Sequence, residues 1–568
     1  MRVTTKRMLK TVSLIFAFLL ALSTVFSAGC GKTDQKYTPL TQADYLTAIG
    51  QDLYNAKGEK VLLNGVNLGG WLHFEGWMDG GGEYEDKFVN HYAVREYLES
   101  RFELEQVEEL LETYQQNYIT IDDLKYIRSL GLNFVRVPFF WTEILDKTGA
   151  VKPNAFDQLD WVIKECSNLG MYVLLDLHGA PGGQSNGAVT GGHTDSNELW
   201  TNETYQQWTV LIWQTVANRY KDNYAVYGYD LLNEPIPPDA PNPPDADADV
   251  PSTTHDTYDM LYDAVREVDK NHIIVLEAFW HCKFLGDPKD SGWENVVYQM
   301  HMYHDSDKTE SAQMGFVTYY VDYIKRYKEE WDVAFLVGEY NFWSAKSAWE
   351  VWLNTWNTEG VSWCSWTYKN IDKERSNNWG FYYNANVEQV DYANDSFDEI
   401  ARKWRGYSTQ NYERNEFLYR VITECANLNQ KPYNGTELDR SQFTATAYQS
   451  GDGTNPYAVL DGDNATRWTN GEAQNSDKEQ VIEINFGKTL NLNAVRLFTC
   501  SLDYGREYEI YYNDKALGGW KLFGKAQGKV WYTDVTANGV LTNKIKIYQK
   551  GVAETNFWSI YEINFYGE

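Results

Sequence analysis

The sequence predicts an α/β protein in which a (β/α)8 TIM barrel is followed by an all-β sandwich. Up to about residue 427, eight short apolar runs alternate with longer amphipathic segments, and from residue 441 the pattern changes to short alternating strands and turns. Apolar runs without polar alternation are typical of strands buried on both faces, and helices between them imply parallel strand order. A doubly wound open sheet is the alternative architecture, but no glycine-rich phosphate loop follows the first run.

The eight predicted barrel strands share a content of Val, Ile, Leu and aromatic residues. They are residues 62–70, 133–140, 171–179, 227–235, 272–279, 295–303, 334–340 and 361–369.

The chain of 568 residues is longer than one hydrophobic core usually organises, so we expect two domains joined by short segments. The predicted units are a signal peptide at 1–30, a polar linker at 31–45, the barrel domain at 46–427, a linker at 428–440 and the sandwich at 441–568.

The first thirty residues have the pattern of an export signal. Four basic residues precede an apolar run at about 14–26, and small residues follow before Cys30. The segment resembles a bacterial lipoprotein cleavage box, although Ser27 stands where an aliphatic residue is usual. We therefore expect an extracellular or cell-surface protein, with acylation of Cys30 or ordinary secretion as the two open alternatives. A lipid on Cys30 would be its membrane contact.

Composition excludes some partners. Lys and Arg number 50 against 80 Asp and Glu, and a net charge of −30 argues against nucleic-acid binding and is compatible with a neutral substrate. Aromatic residues make up 15% of the chain, which suits stacking on sugar rings as well as core packing.

The cysteines other than Cys30 are odd in number and widely spaced, so neither a disulfide framework nor a metal cluster is predicted. We expect a monomer.

Polar residues gather where the predicted strands end. In a (β/α)8 barrel the active site lies at the C-terminal ends of the strands, so these side chains should converge. Two carboxylates from different strands are the working groups of a retaining glycosidase, and Glu234 and Glu339 are the predicted pair. The strand-end residues are Asn67, Arg136, Asp176, His178, Asn233, Glu234, Glu277, His301, Tyr303, Glu339 and Trp366.

Several of these motifs together resemble glycoside hydrolase family 5, the cellulase family, over roughly residues 62–381. The stretches 65–77 and 176–187 are similar to the exo-β-1,3-glucanase branch, whereas the acidic segment 235–256 departs from that branch. The matching motifs are "VRVPF" with Arg136, "DLHG" with His178, "NEP" with Asn233 and Glu234, "HMY" with His301 and Tyr303, "GEY" with Glu339 and "SWTYK" with Trp366.

The resemblance implies roles that agree with electrostatics. Glu339 would be the nucleophile, kept ionised by the positive charge of Arg136 and a hydrogen bond from Tyr303. Glu234 would be the general acid and then the base, because a second negative charge beside Glu339 is unfavourable. Asn233 would bind the sugar 2-hydroxyl.

Other roles are open to a structural alternative. His178 and His301 would bind sugar hydroxyls or orient the carboxylates, or they are satisfied core histidines. Trp366 would form the floor under the reacting sugar. Arg136 could instead be a structural arginine paired with Glu143 or Asp176.

Two acids and five tryptophans complete the candidates. Asp176 is expected to be structural, and Glu277 is either a supporting residue or a substrate contact. Five tryptophans either line sugar subsites or belong to the core: Trp77, Trp141, Trp280, Trp343 and Trp379.

The C-terminal region 441–568 resembles a discoidin-type (F5/8 type C) sandwich, as in family 32 carbohydrate-binding modules. The motifs are "AYQSGDGTNPYAVLDGDNATRWTNG" and the terminal "SIYEINFYG". The resemblance implies a structural calcium ion held by oxygen ligands from Asp461, Asp463, Thr466 and Glu562. The alternative is an ordinary Asx turn without metal.

The sequence therefore predicts a retaining glycoside hydrolase that acts on β-glucan without a catalytic cofactor, as a glucan β-1,3-glucosidase. An endo-β-1,4-glucanase or β-mannanase is the alternative within the same class. A non-catalytic carbohydrate-binding surface protein is the alternative from another class.

Overall fold

A computed structural model of the chain describes residues 37–79, 88, 90–185, 190–193, 196–240, 252–278, 281–371, 377–383, 387–426, 436–462, 466–499, 502–529 and 532–567. The predicted signal peptide with Cys30, the linker residues 427–435, and the candidates Trp280 and Asp463 lie outside these ranges.

Eight parallel strands close into a barrel, as the sequence predicts. Each strand pairs with its neighbours in chain order, and β8 closes the ring between β1 and β7. The strands are β1 (Asn64–Asn67), β2 (Phe134–Phe140), β3 (Tyr172–Gly179), β4 (Val226–Asp230), β5 (Ile273–Glu277), β6 (Val296–Tyr303), β7 (Ala334–Asn341) and β8 (Ser362–Ser365).

Helices surround the barrel and connect its strands. Buried apolar faces on these helices pack against the outer faces of the strands in one large core. The helices of four residues or more are Gly76–Asp79, His91–Arg101, Leu104–Tyr118, Ile121–Ser129, Trp141–Ile144, Asp157–Asn168, Glu203–Tyr220, Ser252–Val268, Cys282–Leu285, Pro288–Ser291, Glu310–Trp331, Lys346–Glu359, Phe397–Arg405, Glu416–Ala426 and Pro456–Val459. Three-residue 3-10 turns lie at Gln42–Asp44 and Thr409–Asn411.

The N-terminal end of the barrel is covered by a small antiparallel sheet of Leu46–Ile49, Asp52–Asn55 and Lys60–Val61. Its buried leucines join side chains from the barrel interior in a second apolar cluster. The Tyr45 hydroxyl is hydrogen-bonded to Nδ1 of His272 at 2.8 Å. The backbone N–H of Leu40 donates to the backbone oxygen of Ser167. Residues 37–45 thus pack on the barrel, so the predicted polar linker at 31–45 ends earlier than the sequence suggested. A second small sheet, of Lys369–Asn370, Tyr382–Tyr383 and Glu413–Arg414, follows β8.

The C-terminal region is an antiparallel β-structure with its own core, as predicted. Its first strand, Thr436–Glu437, pairs with the last strand, Glu562–Gly567, so the sandwich begins before the predicted boundary at 441. The other strands are Thr444–Ala447, Trp468–Thr469, Gln480–Phe498, Glu507–Asp514, Trp520–Gln527, Tyr532–Gln549 and Ser559–Ile560.

Among the helices that the structure describes, none combines the length and apolar character needed to cross a bilayer. Within the same described ranges, Cys166, Cys282 and Cys364 are buried free thiols.

Packing between β1 and β2 gives a stability prediction at Gly65. A Cβ atom there would lie 2.5 Å from the ring of Phe134 and 2.7 Å from its carbonyl oxygen, so Gly65→Ala should destabilise the barrel by about 1–3 kcal/mol. Gly315, in the helix Glu310–Trp331, has open space around its Cβ position, so Gly315→Ala should stabilise the fold by roughly 0.5–1 kcal/mol. Urea unfolding of the two variants measures both shifts, and an equal midpoint for Gly65→Ala and the parent protein would contradict the packing argument.

Candidate active site

The guanidinium of Arg136 lies at the centre of a cluster at the C-terminal ends of the strands. It is fully buried and contacts three carboxylates. Nη1 donates to Oε1 of Glu339 at 2.8 Å, Nε donates to Oδ2 of Asp230 at 2.8 Å, and Nη2 lies 3.1 Å from Oδ2 of Asp176. Because strands β2, β3, β4 and β7 supply these four residues, a single cation fixes the relative positions of four strand ends.

Arg136 also aligns two asparagines. Nη1 donates to Oδ1 of Asn67 at 3.1 Å, and Nη2 donates to Oδ1 of Asn233 at 2.9 Å. Asn67 in turn donates its amide to the backbone oxygens of Gly338 and Ser365. Of the two alternatives for Arg136, pairing with Glu143 does not occur, since Glu143 is bound by Gln115 instead.

Glu339 is held by two hydrogen bonds at opposite oxygens. Oε1 accepts from Arg136, and Oε2 accepts from the Tyr303 hydroxyl at 2.8 Å. Burial and the charge of Glu339 raise the pKa of Tyr303 well above its ordinary value, so the phenol keeps the proton that it donates. The Glu339 side chain is 7% exposed and therefore fixed in orientation.

Glu234 lies four residues beyond the end of β4, not at the strand end itself. Its backbone has φ of 42°, a left-handed conformation that is uncommon for a residue other than glycine. The backbone N–H of Glu234 donates to Oε2 of Glu277 at 2.9 Å, and Glu277 also accepts from Gln299. Glu277 therefore contacts the main chain of Glu234 and supports this conformation.

Three carboxylates meet at one nitrogen atom of His301. Nδ1 lies 2.9 Å from Oε1 of Glu234, 3.2 Å from Oε1 of Glu277 and 3.4 Å from Oε2 of Glu339. Burial lowers the pKa of His301 to about 3, so the ring is neutral at ordinary pH. The histidine thus separates the carboxylates without adding a positive charge between them.

Burial raises the pKa of both Glu234 and Glu339 to about 7. Their partners differ, because Glu339 contacts Arg136 and the Tyr303 hydroxyl whereas Glu234 contacts neutral His301. Both contacts of Glu339 stabilise its ionised form, a stabilisation that Glu234 does not receive from neutral His301.

His178 is oriented by Asp176, whose Oδ2 lies 2.7 Å from Nδ1. The imidazole stacks on the Trp366 ring with a centroid distance of 5.4 Å and an interplanar angle of 13°. Its Nε2 lies 3.4 Å from the amide nitrogen of Asn233. Asp176 thus has the structural position that the sequence predicted, and the structure brings every predicted strand-end residue into one connected cluster.

Two acids of the cluster escaped the sequence analysis. Asp230, inside the buried strand β4, pairs with Arg136 and accepts from Gln299, and only its alternation along the strand could have signalled an inward side chain. Glu75 accepts from the Trp77 indole at 2.8 Å, and burial together with the charges of Glu339 and Glu234 raises its pKa to about 8. It lies within the stretch 65–77, which resembles the exo-β-1,3-glucanase branch.

The tryptophan candidates divide into two groups. Trp77 and Trp379 are half-buried and face each other with a centroid distance of 5.2 Å, beside Glu75 and Tyr303 respectively. Trp141 and Trp343 are almost fully buried, with 4% and 1% exposure, and their rings contact Trp208 and Trp379 respectively.

The predicted calcium ligands are described in part. Thr466 donates its hydroxyl to Oδ2 of Asp461 at 2.8 Å, and Glu562 accepts from the Gly462 N–H at 2.7 Å. Burial raises the pKa of Glu562 to about 7, and Arg440 lies 2.6 Å from the same carboxylate. The oxygen-rich turn fits a hard cation, although Arg440 already neutralises part of the negative charge of Glu562. The calcium site stays a prediction.

Comparison with known proteins agrees with the two-domain architecture. A family model described as cellulase (glycosyl hydrolase family 5) matches residues 99–372, and a model of the F5/8 type C domain matches residues 442–563.

Curated relatives match the barrel. A β-xylosidase of Phanerodontia chrysosporium is 30% identical over 46% of this chain and 52% of its own length. A probable glucan 1,3-beta-glucosidase A of Emericella nidulans is 31% identical over 43% of this chain and 57% of its own length. A probable glucan endo-1,6-beta-glucosidase B of Aspergillus flavus is 27% identical over 47% of this chain and 69% of its own length. The chain thus spans about half the length of the first two relatives.

The closed barrel, the convergence of Glu234 and Glu339 at its C-terminal end and the match over residues 99–372 agree with one another. The chain contains a cellulase (glycosyl hydrolase family 5) domain over residues 99–372 and an F5/8 type C domain over residues 442–563.

Proposed function

We propose that this protein hydrolyses a β-glucan with retention of anomeric configuration, as a glucan β-1,3-glucosidase. The observation that carries the proposal is the meeting of Glu234 and Glu339 at His301 Nδ1. Oxygens 2.9 and 3.4 Å from one nitrogen favour the separation of about 5–5.5 Å between the carboxyl groups of retaining enzymes over the separation of about 6.5–9.5 Å that admits water in inverting enzymes. Retention through a glycosyl ester follows.

Glu339 is the nucleophile in this proposal. Arg136 and Tyr303 keep it ionised and aim its oxygens, so that it attacks the anomeric carbon and forms a glycosyl ester. Glu234 donates its proton to the departing glycosidic oxygen. Once the ester has neutralised Glu339, the repulsion that kept Glu234 protonated disappears, and Glu234 can take a proton from the incoming water.

The neighbouring groups would bind the sugar. Asn233 is fixed by Arg136 and would hydrogen-bond the 2-hydroxyl, while His178 would bind further hydroxyls. Trp366 would support the reacting ring. Trp77 and Trp379 have the half-exposed faces that stacking on a sugar requires.

The β-1,3 linkage rests on the relatives and on the resemblance of 65–77 to the exo-glucanase branch. An endo-β-1,4-glucanase or β-mannanase is the alternative, and the names of the relatives, which include a β-xylosidase and a probable glucan endo-1,6-beta-glucosidase, already differ in activity. Initial rates on laminarin, cellulose, mixed-linkage glucan and mannan distinguish them. We expect glucose release from laminarin, and activity confined to cellulose or mannan would contradict the β-1,3 proposal.

The export signal and the F5/8 type C domain support a location outside the cell, with the second domain binding carbohydrate. In this proposal the protein is secreted or held by a lipid on Cys30, and acts as a monomer on polymeric glucan.

Substitution of the two glutamates tests their roles. Glu339→Gln removes the nucleophile, so activity should fall by at least about 10³-fold on every substrate. Glu234→Gln removes the acid, so activity should collapse on glucan, whereas the first step on an activated aryl glucoside should be much less affected, because its phenolate leaves unaided. Added azide should then rescue Glu234→Gln and give a β-glycosyl azide.

Glu143→Gln is the matched control, since Glu143 is a half-buried carboxyl outside the cluster, held by Gln115, and should leave these rates near those of the parent protein. Equal losses for Glu234→Gln and Glu339→Gln on the aryl glucoside, without azide rescue, would show that the roles are wrongly assigned.

Deletion of residues 436–568 tests the role of the C-terminal domain. A tethered binding site raises the local concentration of enzyme at an insoluble polymer without changing the chemistry. Turnover of soluble oligosaccharides should therefore be retained, and release of sugar from insoluble glucan should fall severalfold. An equal loss on both substrates would mean instead that the barrel needs the domain in order to fold.

A further inference from the structure

Two buried histidines beside the sugar pocket lack hydrogen-bond partners. His73 and His91 are 0% and 1% exposed, and neither ring nitrogen of either residue has a partner within the described part of the chain. A buried polar group without a partner costs about 1–3 kcal/mol, so these rings would gain from a ligand.

His73 faces two further groups that can bind a cation. Its ring centroid lies 4.4 Å from that of His178, and the candidate ligand atoms of His73, Glu75 and His178 all lie within 4.8 Å of one another. His91 stacks with His73 at 6.4 Å and lies behind it. The three facing side chains are almost entirely buried, which excludes competing bulk water.

His178 is already oriented as metal-binding histidines usually are. Its Nδ1 is bound to the Asp176 carboxylate at 2.7 Å, so Nε2 is the nitrogen left for a metal ion, which would replace the long contact of 3.4 Å from the Asn233 amide nitrogen. A carboxylate on the second nitrogen fixes the tautomer and increases the basicity of the ligating nitrogen. This support is independent of the unpartnered state of His73.

We propose that His73, Glu75 and His178 form a binding site for Zn²⁺ or a similar divalent transition-metal ion. Two neutral imidazoles and one carboxylate are a common zinc ligand set, whereas Ca²⁺ and Mg²⁺ prefer oxygen ligands. Ligand atoms around tetrahedral zinc lie about 3.3 Å apart, so modest side-chain rotation would close the set around the ion.

The ion would compete with the sugar. His178 stacks on Trp366, and Glu75 lies close enough to Glu234 and Glu339 for their charges to raise its pKa. A metal ion bound to His178 and Glu75 would occupy the atoms with which these side chains could otherwise contact the sugar. The site is therefore inhibitory, and it lies outside the hydrolytic steps of the proposed function.

Calorimetric titration of the untagged full-length protein with ZnCl₂ tests the site. We expect one ion per chain, and His73→Phe should weaken its binding at least about tenfold because phenylalanine keeps the ring and removes the ligand. His281→Phe is the matched control: His281 is 9% exposed with an unpartnered Nδ1, but its ring neighbours are Phe284, Tyr320 and Tyr323, and it should keep the parent affinity.

Two results would overturn the proposal. One is equal zinc affinity of His73→Phe and the parent protein, which would place the ion at the neighbouring group of Glu234, Glu277 and His301. The other is the absence of binding at millimolar zinc. X-ray absorption spectroscopy of zinc bound to the parent protein counts the imidazole ligands of the ion without requiring a variant to fold. We expect two imidazole ligands, and one or none would contradict the site.

Kinetics test the inhibitory consequence separately. Zn²⁺ should raise KM without changing kcat in the parent protein and in His281→Phe, and this effect should weaken at least about tenfold in His73→Phe. Noncompetitive inhibition would contradict the placement in the sugar pocket. Because calorimetry and absorption spectroscopy do not require turnover, failure of the proposed hydrolysis would leave the metal site measurable.

Discussion

The contacts of one buried guanidinium organise the active end of the barrel. Arg136 neutralises Glu339, Asp230 and Asp176 and also holds Asn67 and Asn233. A buried charge without partners would be strongly unfavourable, and removal of one member of a buried pair typically costs about 3–5 kcal/mol. Arg136 and the carboxylates therefore compensate each other's buried charge, and this mutual compensation holds the network in one geometry. Glu234 and Glu277 meet at Nδ1 of His301 instead of at the guanidinium.

This asymmetry links the fold to the proposed chemistry. The barrel brings Glu234 and Glu339, which are distant in sequence, to the same nitrogen of His301. Burial is the largest cause of the raised pKa, about 7, of both glutamates. The direct partners of Glu339 create the difference between acid and nucleophile. The same dense burial leaves imidazoles such as His73 neutral and able to bind a metal ion, so a glycosidase pocket and a zinc site can share one wall.

Much of this arrangement could be predicted from the sequence because strand ends converge in a closed barrel. The eight apolar runs correspond to the eight strands, and the motif residues Arg136, Asn233, Glu234 and Glu339 are connected as expected. The left-handed backbone of Glu234 depends on Glu277, a contact between distant segments that local sequence does not encode. Asp230 and Glu75 were missed because a single acid in an apolar run has no periodic signal. Residues 37–45 and 436–440 are polar yet contact distant segments, so polar composition alone does not mark the ends of the linkers.

The division of roles between the two glutamates is tested most directly by covalent labelling with an activated 2-deoxy-2-fluoroglucoside at a series of pH values. Its leaving group needs no acid, so the labelling rate reports ionisation of the nucleophile alone. The account predicts that peptide mass spectrometry finds the sugar on Glu339. It also predicts that the rate rises with pH through one ionisation at or below about 7 and then stays level, although Glu234 loses its proton. A label on Glu234 or Glu277, or a rate that falls again as Glu234 ionises, would contradict it.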